Sequence, residues 1–362
     1  MLLKELSEAF GVSGHEGKMR ELVLQAIEDL VDEYHVDALG NLIGLKRGSV
    51  SNSLVRDSHK ASRKVSNSSV VRKVMLAAHM DEVGLMIMHI EKEGFLRFRP
   101  VGGIDPRVLL AKKALIGDDQ VPGVIGVKPI HLLEPKARQQ VIRVQDMSID
   151  IGVSSKEEAE RLVKLGDYAA FDTAFSELGG ALRAVKGKAF DDRAGCAVLI
   201  ELLREEYPFD LYAAFTTQEE VGLRGARVAA YSVAPDMAFA LEGTTCDDTP
   251  KKRDVSPTTR VGAGPAITVM DRSVIADRRL VELLTDTAER NGIPYQFRQP
   301  GVGGTDAGVI HLSREGIPSA VVAVPSRYIH SAVSLLSLND LDNTVHLMKL
   351  ALARVNELDM SW

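Results

Sequence analysis

Val74-Met75-Leu76-Ala77-Ala78, followed without a break by His79-Met80-Asp81-Glu82-Val83-Gly84, is the stretch that decides how this chain is built. A short apolar run bounded by polar residues reads as a buried strand, and successive side chains of a strand alternate between its two faces. His79 and Asp81 therefore share a face at the strand end, an imidazole with a carboxylate two residues on. That pairing suits a metal ligand whose second ring nitrogen is held by an acid. It also suits a plain hydrogen-bonded pair, so its meaning depends on what the rest of the chain supplies.

Upstream, Met1 to Phe10 alternates charged and apolar residues like an amphipathic helix. Met19, Leu22, Val23, Ala26, Ile27 and Leu30 recur at helical spacing, which predicts a helix from near Glu16 to Val31. Val36 and Leu42 to Leu45 read as strands around the turn at Gly40-Asn41. Arg47 to Lys73 is rich in serine and basic residues and poor in apolar ones, and is expected to be a solvated, mobile loop.

Downstream of Val83 the texture becomes all-β as far as about Phe171. Val83 to Ile90 and Phe95 to Arg99 flank Glu91-Lys92-Glu93-Gly94, a hairpin signal, and short strands around Ala114 to Ile116 and Val124 to Val127 follow. A small barrel or sandwich is expected there. Beyond Gly187 helices and strands alternate: a helix over Gly195 to Leu203, strands over Leu211 to Thr216 and Met237 to Leu241, a helix over Asp277 to Arg290, a strand over Ser319 to Val324, and a final helix over Leu338 to Leu358. This pattern predicts an α/β sheet covered by helices on both faces, interrupted by a β-rich insertion. The expected boundaries are 1–82 and 173–362 for the sheet domain and 83–172 for the insertion.

With 362 residues, 45% hydrophobic and 26% charged, the chain can bury a full core and is expected to hold two domains. A net charge of -6 argues against nucleic acid as a partner, since binding of that kind rests on clustered positive charge. No stretch is apolar enough for a membrane span or a signal peptide. Two cysteines, Cys196 and Cys246, suit a reducing compartment, and a cytoplasmic location is expected.

Four later sites join the first. Phe190-Asp191-Asp192-Arg193 opens a helix, Gln218-Glu219-Glu220-Val221-Gly222 follows one strand, Glu242 closes another, and Arg327-Tyr328-Ile329-His330 follows a third. Ligands of open α/β sheets sit beyond the carboxyl ends of the strands, so these groups can converge in one cleft. Two histidines and several carboxylates, with no cysteine cluster, suit a zinc-type hydrolytic site of one or two metals. Adjacent side chains in an extended stretch point opposite ways. One of Glu219 and Glu220 can therefore bind metal while the other moves protons.

These motifs, together with Gly303-Gly304-Thr305-Asp306 and in this order along nearly the whole chain, resemble the tetrahedral aminopeptidases, also known as glutamyl, deblocking or leucyl aminopeptidases. The resemblance implies a phosphorylase/hydrolase-like catalytic domain with an inserted PDZ-like β domain. It implies a dinuclear metallo-aminopeptidase acting on the N-termini of peptides, with two divalent ions, Zn or Co. His79, Asp191 and the residue at 242 would hold one ion, and Asp191, Glu220 and His330 the other. Asp191 would be the bridge, Glu219 the general base and Asp81 the acid orienting His79. The peptide after the bridging Asp is commonly cis in such proteins. Many family members carry Asp where this chain has Glu242; the longer side chain can still ligate. Asp306 is a candidate for the substrate amine. A homo-oligomer, a dodecamer built from dimers, is the implied assembly.

Two rival functions fit the sequence less well. An endoglucanase-type glycoside hydrolase needs two carboxylates flanking the scissile bond and leaves the histidines without a task. A scaffold with a decayed site conflicts with competent groups at every ligand position. His311 is expected to be a packed histidine and His131 structural, while His15, His35, His59, His89 and His346 show no partner spacing. Cys246 is expected to be a buried thiol. Gly301 to Gly304 lacks the lysine of a phosphate loop and is expected to line the cleft.

Overall fold

The computed structural model describes residues 1–49, 72–250, 258–300 and 303–360. The expected loop of Arg47 to Lys73 lies almost wholly outside the described residues, as do Gly301 and Val302 of the glycine-rich stretch.

The strand predicted from the opening motif runs Lys73–His79 and lies in the middle of a sheet of eleven strands among the described residues. Asp210–Thr216 and Met237–Cys246 flank it, both parallel to it, and Ser319–Arg327 continues the parallel set on the far side of Met237–Cys246. Its continuous apolar run is explained by the two cores it feeds. Val74, Leu76 and Ala78 enter the larger core, together with side chains of the helices Gly17–Ile27, Phe190–Leu202, Arg278–Asn291 and Leu338–Ala353. Met75 and Ala77 enter the opposite core, built with Arg224–Val233 and Ala307–Ile310. A parallel strand buried on both faces has no polar alternation to show.

Where that strand stops, the chain enters a closed six-stranded barrel of Gly84–Ile90, Leu96–Val101, Ile149–Asp150, Val121–Ile125, Lys113–Ile116 and Tyr168–Phe171. Closure leaves it no open sheet edge. Its interior is filled by Leu85, Ile87, Leu96, Phe98, Ile116, Ile125, Ile149 and Phe171. Gly84 is needed at the entry, because a Cβ there would lie 2.4 Å from Val12 and 2.8 Å from the Ala169 carbonyl.

Two expected boundaries are corrected. The final helix ends at Ala353 rather than Leu358. Arg72 takes the carbonyls of Val355 and Leu358 at 2.8 and 2.7 Å, so these oxygens serve a tertiary contact. Glu242 does not end its strand, which continues to Cys246. Pairing with Lys73–His79 stops at Ala240, but pairing with Ser319–Arg327 carries on to Cys246. Among the described residues no helix is long and apolar enough to cross a membrane.

Candidate metal centre and active site

The register of the sheet sets the site. Thr216 is opposite His79 on one side, and on the other Ala77 is opposite Ala240, so Glu242 stands level with His79. The helix Phe190–Leu202 brings its first residues against this row. Gly195 permits the approach, since a Cβ there would meet the Leu241 carbonyl at 2.3 Å. Asp191 and Asp192 have non-helical backbone angles, and the peptide bond between them is cis.

Asp191 lies between the two histidines. Its Oδ1 is 3.3 Å from His79 Nε2 and its Oδ2 is 3.5 Å from His330 Nε2. Glu242 Oε2 is 3.8 Å from His79 Nε2, and Glu220 Oε2 is 3.2 Å from His330 Nε2. Two groups thus form, His79–Asp191–Glu242 and Asp191–Glu220–His330, with the ligand atoms of each within 4.8 Å of one another. Glu219 Oε2 stands 4.0 Å from His79 Nε2 and belongs to neither.

Both imidazoles are held from behind. His79 Nδ1 is 3.1 Å from the Asp81 carbonyl and 3.4 Å from its Oδ1, and His330 Nδ1 is 2.9 Å from the carbonyl of Gly103 in the barrel. A carbonyl only accepts, so each Nδ1 carries the hydrogen and each Nε2 faces the carboxylates. Asp81 does more than orient His79. Its carboxylate also accepts from Ser13 Oγ at 2.6 Å and from the backbone N–H groups of Glu219 and Glu220 at 3.0 and 3.2 Å.

The charges are crowded enough to move proton affinities far from their ordinary values. Burial works against a charged His330, yet the Asp191 and Glu220 carboxylates outweigh it and push it up to about 11. His79 is likewise raised by Asp191 and Asp81 against the effect of its burial. Burial, then the neighbouring carboxylates, lifts Glu219 and Glu242 well above the usual carboxylate range despite the opposing pull of His79. Asp191 goes the other way: burial favours its neutral form, but hydrogen bonds to His330 and His79 hold it low. Such a cluster attracts positive charge.

Asp306, the candidate for the substrate amine, lies beside Glu242. It is fully buried, its Oδ2 accepts from Thr216 Oγ1 at 2.5 Å, and its backbone N–H donates to Glu242 Oε1 at 3.1 Å. Burial lifts its pKa to about 6, with His79 and Thr216 opposing. Its backbone N–H thus holds Glu242, while its buried Oδ1 has no hydrogen-bond partner among the described residues. His311 is half-buried with Nδ1 on the Ala307 carbonyl, His131 is exposed in a short turn of the barrel, and Cys246 is buried against Thr259.

Three groups escaped the sequence reading. Glu82 is buried and accepts from Lys188 Nζ at 2.6 and 2.8 Å and from Arg193 Nη2 at 3.3 Å. Arg193, wholly buried, also reaches the Met80 carbonyl. His15 stacks on Tyr168 of the barrel, ring centroids 5.2 Å apart. Their partners lie far along the chain, and no local spacing signals them.

A sheet with a carboxylate flanked by two histidines near the carboxyl ends of its strands is the architecture of a hydrolase. Residues 61–347 match the M42 glutamyl aminopeptidase family, and the chain belongs to that family. It is 36% identical to the lysyl aminopeptidase of Pyrococcus furiosus, over 99% of this chain and 98% of that one. An aminopeptidase from the archaeon Desulfurococcus kamchatkensis superposes with a TM-score of 0.88 at 38% identity, covering 98% of this chain and 94% of that one. The TET1 peptidase of Pyrococcus horikoshii, which can assemble into a tetrahedron or a large octahedral shell, superposes with a TM-score of 0.81 at 38% identity, covering 97% of this chain and 98% of that one. The protein is a peptide hydrolase of the aminopeptidase class.

Proposed function

We propose that the chain removes N-terminal residues from peptides with two divalent ions, held by His79, Asp191 and Glu242 and by Asp191, Glu220 and His330. The observation that carries this reading is Asp191, which turns one oxygen to each histidine. The residues fit the ions in two further ways. Both Nε2 atoms face the carboxylates, and the buried Glu220 Oε1 has no hydrogen-bond partner among the described residues. Imidazole and carboxylate donors without thiolate suit Zn or Co. Bound ions would supply Lewis acidity to the attacking water and to the scissile carbonyl.

The chain's own residues then have separate tasks. Glu219, assigned to neither ion, takes the proton of the attacking water on a carboxylate oxygen and delivers it to the leaving amine. Asp81 keeps His79 in its Nδ1–H form and holds the loop that carries Glu219 and Glu220. Asp306 keeps Glu242 in line, which supports Glu242 as a ligand in place of the commoner Asp. The glycosidase alternative needs only two carboxylates flanking the scissile bond and leaves His79 and His330, which both face Asp191, without a task.

Aminoacyl chromogenic substrates with a free amine should be hydrolysed, their N-acetylated counterparts should not, and a chelator should abolish the activity until Zn or Co is restored. Activity on cellulose that survives the chelator would overturn the proposal. Metal content measured on Glu220→Ala and His330→Ala should fall from two equivalents towards one. Two full equivalents retained would remove those residues from the ligand set.

We assign residues 83–172 as an inserted dimerisation domain and the assembly as a dodecamer built from dimers. Exposed Ile130, Leu132 and Val141 on the barrel support a partner surface. Light scattering should give a mass near twelve chains, and a monomer would contradict the assignment. A cytoplasmic location is supported by two free, buried thiols, Cys196 and Cys246.

A further inference from the structure

The loop leaving the strand Asp210–Thr216 is held in an unusual way. Each of its first backbone N–H groups ends on a side-chain oxygen. Thr217 donates to Asn41 Oδ1 at 2.9 Å, Gln218 to Glu16 Oε1 at 3.2 Å, and Glu219 and Glu220 to the two oxygens of Asp81 at 3.0 and 3.2 Å. Loop amides commonly find carbonyls or water. Here three separate parts of the chain dictate the loop's course.

Of these anchors, Glu16 has no other evident task. It is 5% exposed and precedes the helix Gly17–Ile27, but its side chain does not cap that helix. Its Oε1 accepts from Gln218 and, at 2.7 Å, from the Gly14 amide. Gln218 has a φ of 56°, a left-handed conformation that a side-chain-bearing residue adopts only when its surroundings impose it. The next residue is Glu219. Glu16 is itself fixed from the barrel. His15 stacks on Tyr168 and its Nε2 lies 3.0 Å from Asp118 Oδ1, while Lys18 Nζ donates to the Asp118 carbonyl at 2.7 Å.

We propose that Glu16 is a positioning residue for catalysis: by holding the Gln218 peptide in its left-handed turn, it aims the Glu219 carboxylate at the two triads. The inference rests on the reading of Glu219 as the proton carrier. What the turn needs from Glu16 is an acceptor oxygen rather than a charge.

Kinetics of Glu16→Ala, Glu16→Asp and Glu16→Gln, with metal content measured on each, test this. Misplacement of a catalytic group by about an ångström costs up to about 100-fold, so kcat should fall about 10- to 100-fold in Glu16→Ala with KM and metal content nearly unchanged. Glu16→Gln keeps the acceptor and should recover most of kcat. If Glu16→Ala does not fold, Glu16→Asp decides, since its shorter side chain withdraws from Gln218 and should show the same selective loss in kcat. Full kcat in Glu16→Ala or Glu16→Asp, a Gln variant as impaired as Ala, or a loss that tracks metal content would each overturn the proposal. Glu219→Gln is measured beside them. If it is inactive while Glu16→Ala is fully active, the positioning role alone fails; if it is active, the reading of Glu219 fails instead.

Discussion

Glu219→Gln is expected to lower kcat by about 10²- to 10⁴-fold, the range that a positioned acid–base group contributes. The substitution keeps the side chain's shape and removes its ability to take a proton. Glu219 stands in neither triad, so metal content should remain at the wild-type value, and KM should change little if the group acts only as the reaction proceeds. This combination separates Glu219 from its neighbour. Glu220 is 3.2 Å from His330 and its loss should cost metal as well as rate. Near wild-type turnover in metal-loaded Glu219→Gln would remove the proton-carrying role.

Glu82→Leu should produce the largest loss of stability. The Glu82 carboxylate pairs with both Lys188 and Arg193 in a region where all three side chains are at most 5% exposed. Removing it leaves two buried cations uncompensated, and breaking even one such pair typically costs about 3–5 kcal/mol. Burial already depresses the Lys188 pKa, against the pull of Glu82, so loss of the carboxylate would push that lysine further towards its neutral form. Denaturant titration should show the midpoint falling. Adding Lys188→Met to Glu82→Leu should restore part of the loss, because one of the stranded cations is then gone. A change under about 1 kcal/mol in the single variant would mean that water reaches these groups and screens them as at a surface.

The sequence announced those parts of the site whose position follows from local pattern. His79, Glu219, Glu220 and His330 all come soon after apolar runs that can only be buried strands, and Asp191 opens a helix just before an apolar stretch. The bipartite architecture was legible for the same reason, because period-two hairpins replace helix–strand alternation between Val83 and Phe171. Where position depends on pairing, the sequence was silent. Glu242 appeared to close a strand because apolar residues stop at Leu241, yet the strand continues by pairing with Ser319–Arg327. Asp306 was visible only as the residue after a glycine-rich loop, and its bonds to Thr216 and Glu242, 90 and 64 residues away, leave no local signal. Glu82 read as one more acid of the opening motif. Its partners lie 106 and 111 residues on, beyond any periodicity.

The Gly103 carbonyl behind His330 has a consequence for how the centre is assembled. The triad of His79, Asp191 and Glu242 draws its residues and its supporting carbonyl from the sheet, its leading helix and the turn that ends the central strand. The other triad borrows its support from the barrel, 227 residues away along the chain. The support of His79 comes from its own strand end, whereas His330 is supported only with the barrel seated against the sheet, so the second triad depends on the docking of the two parts of the chain.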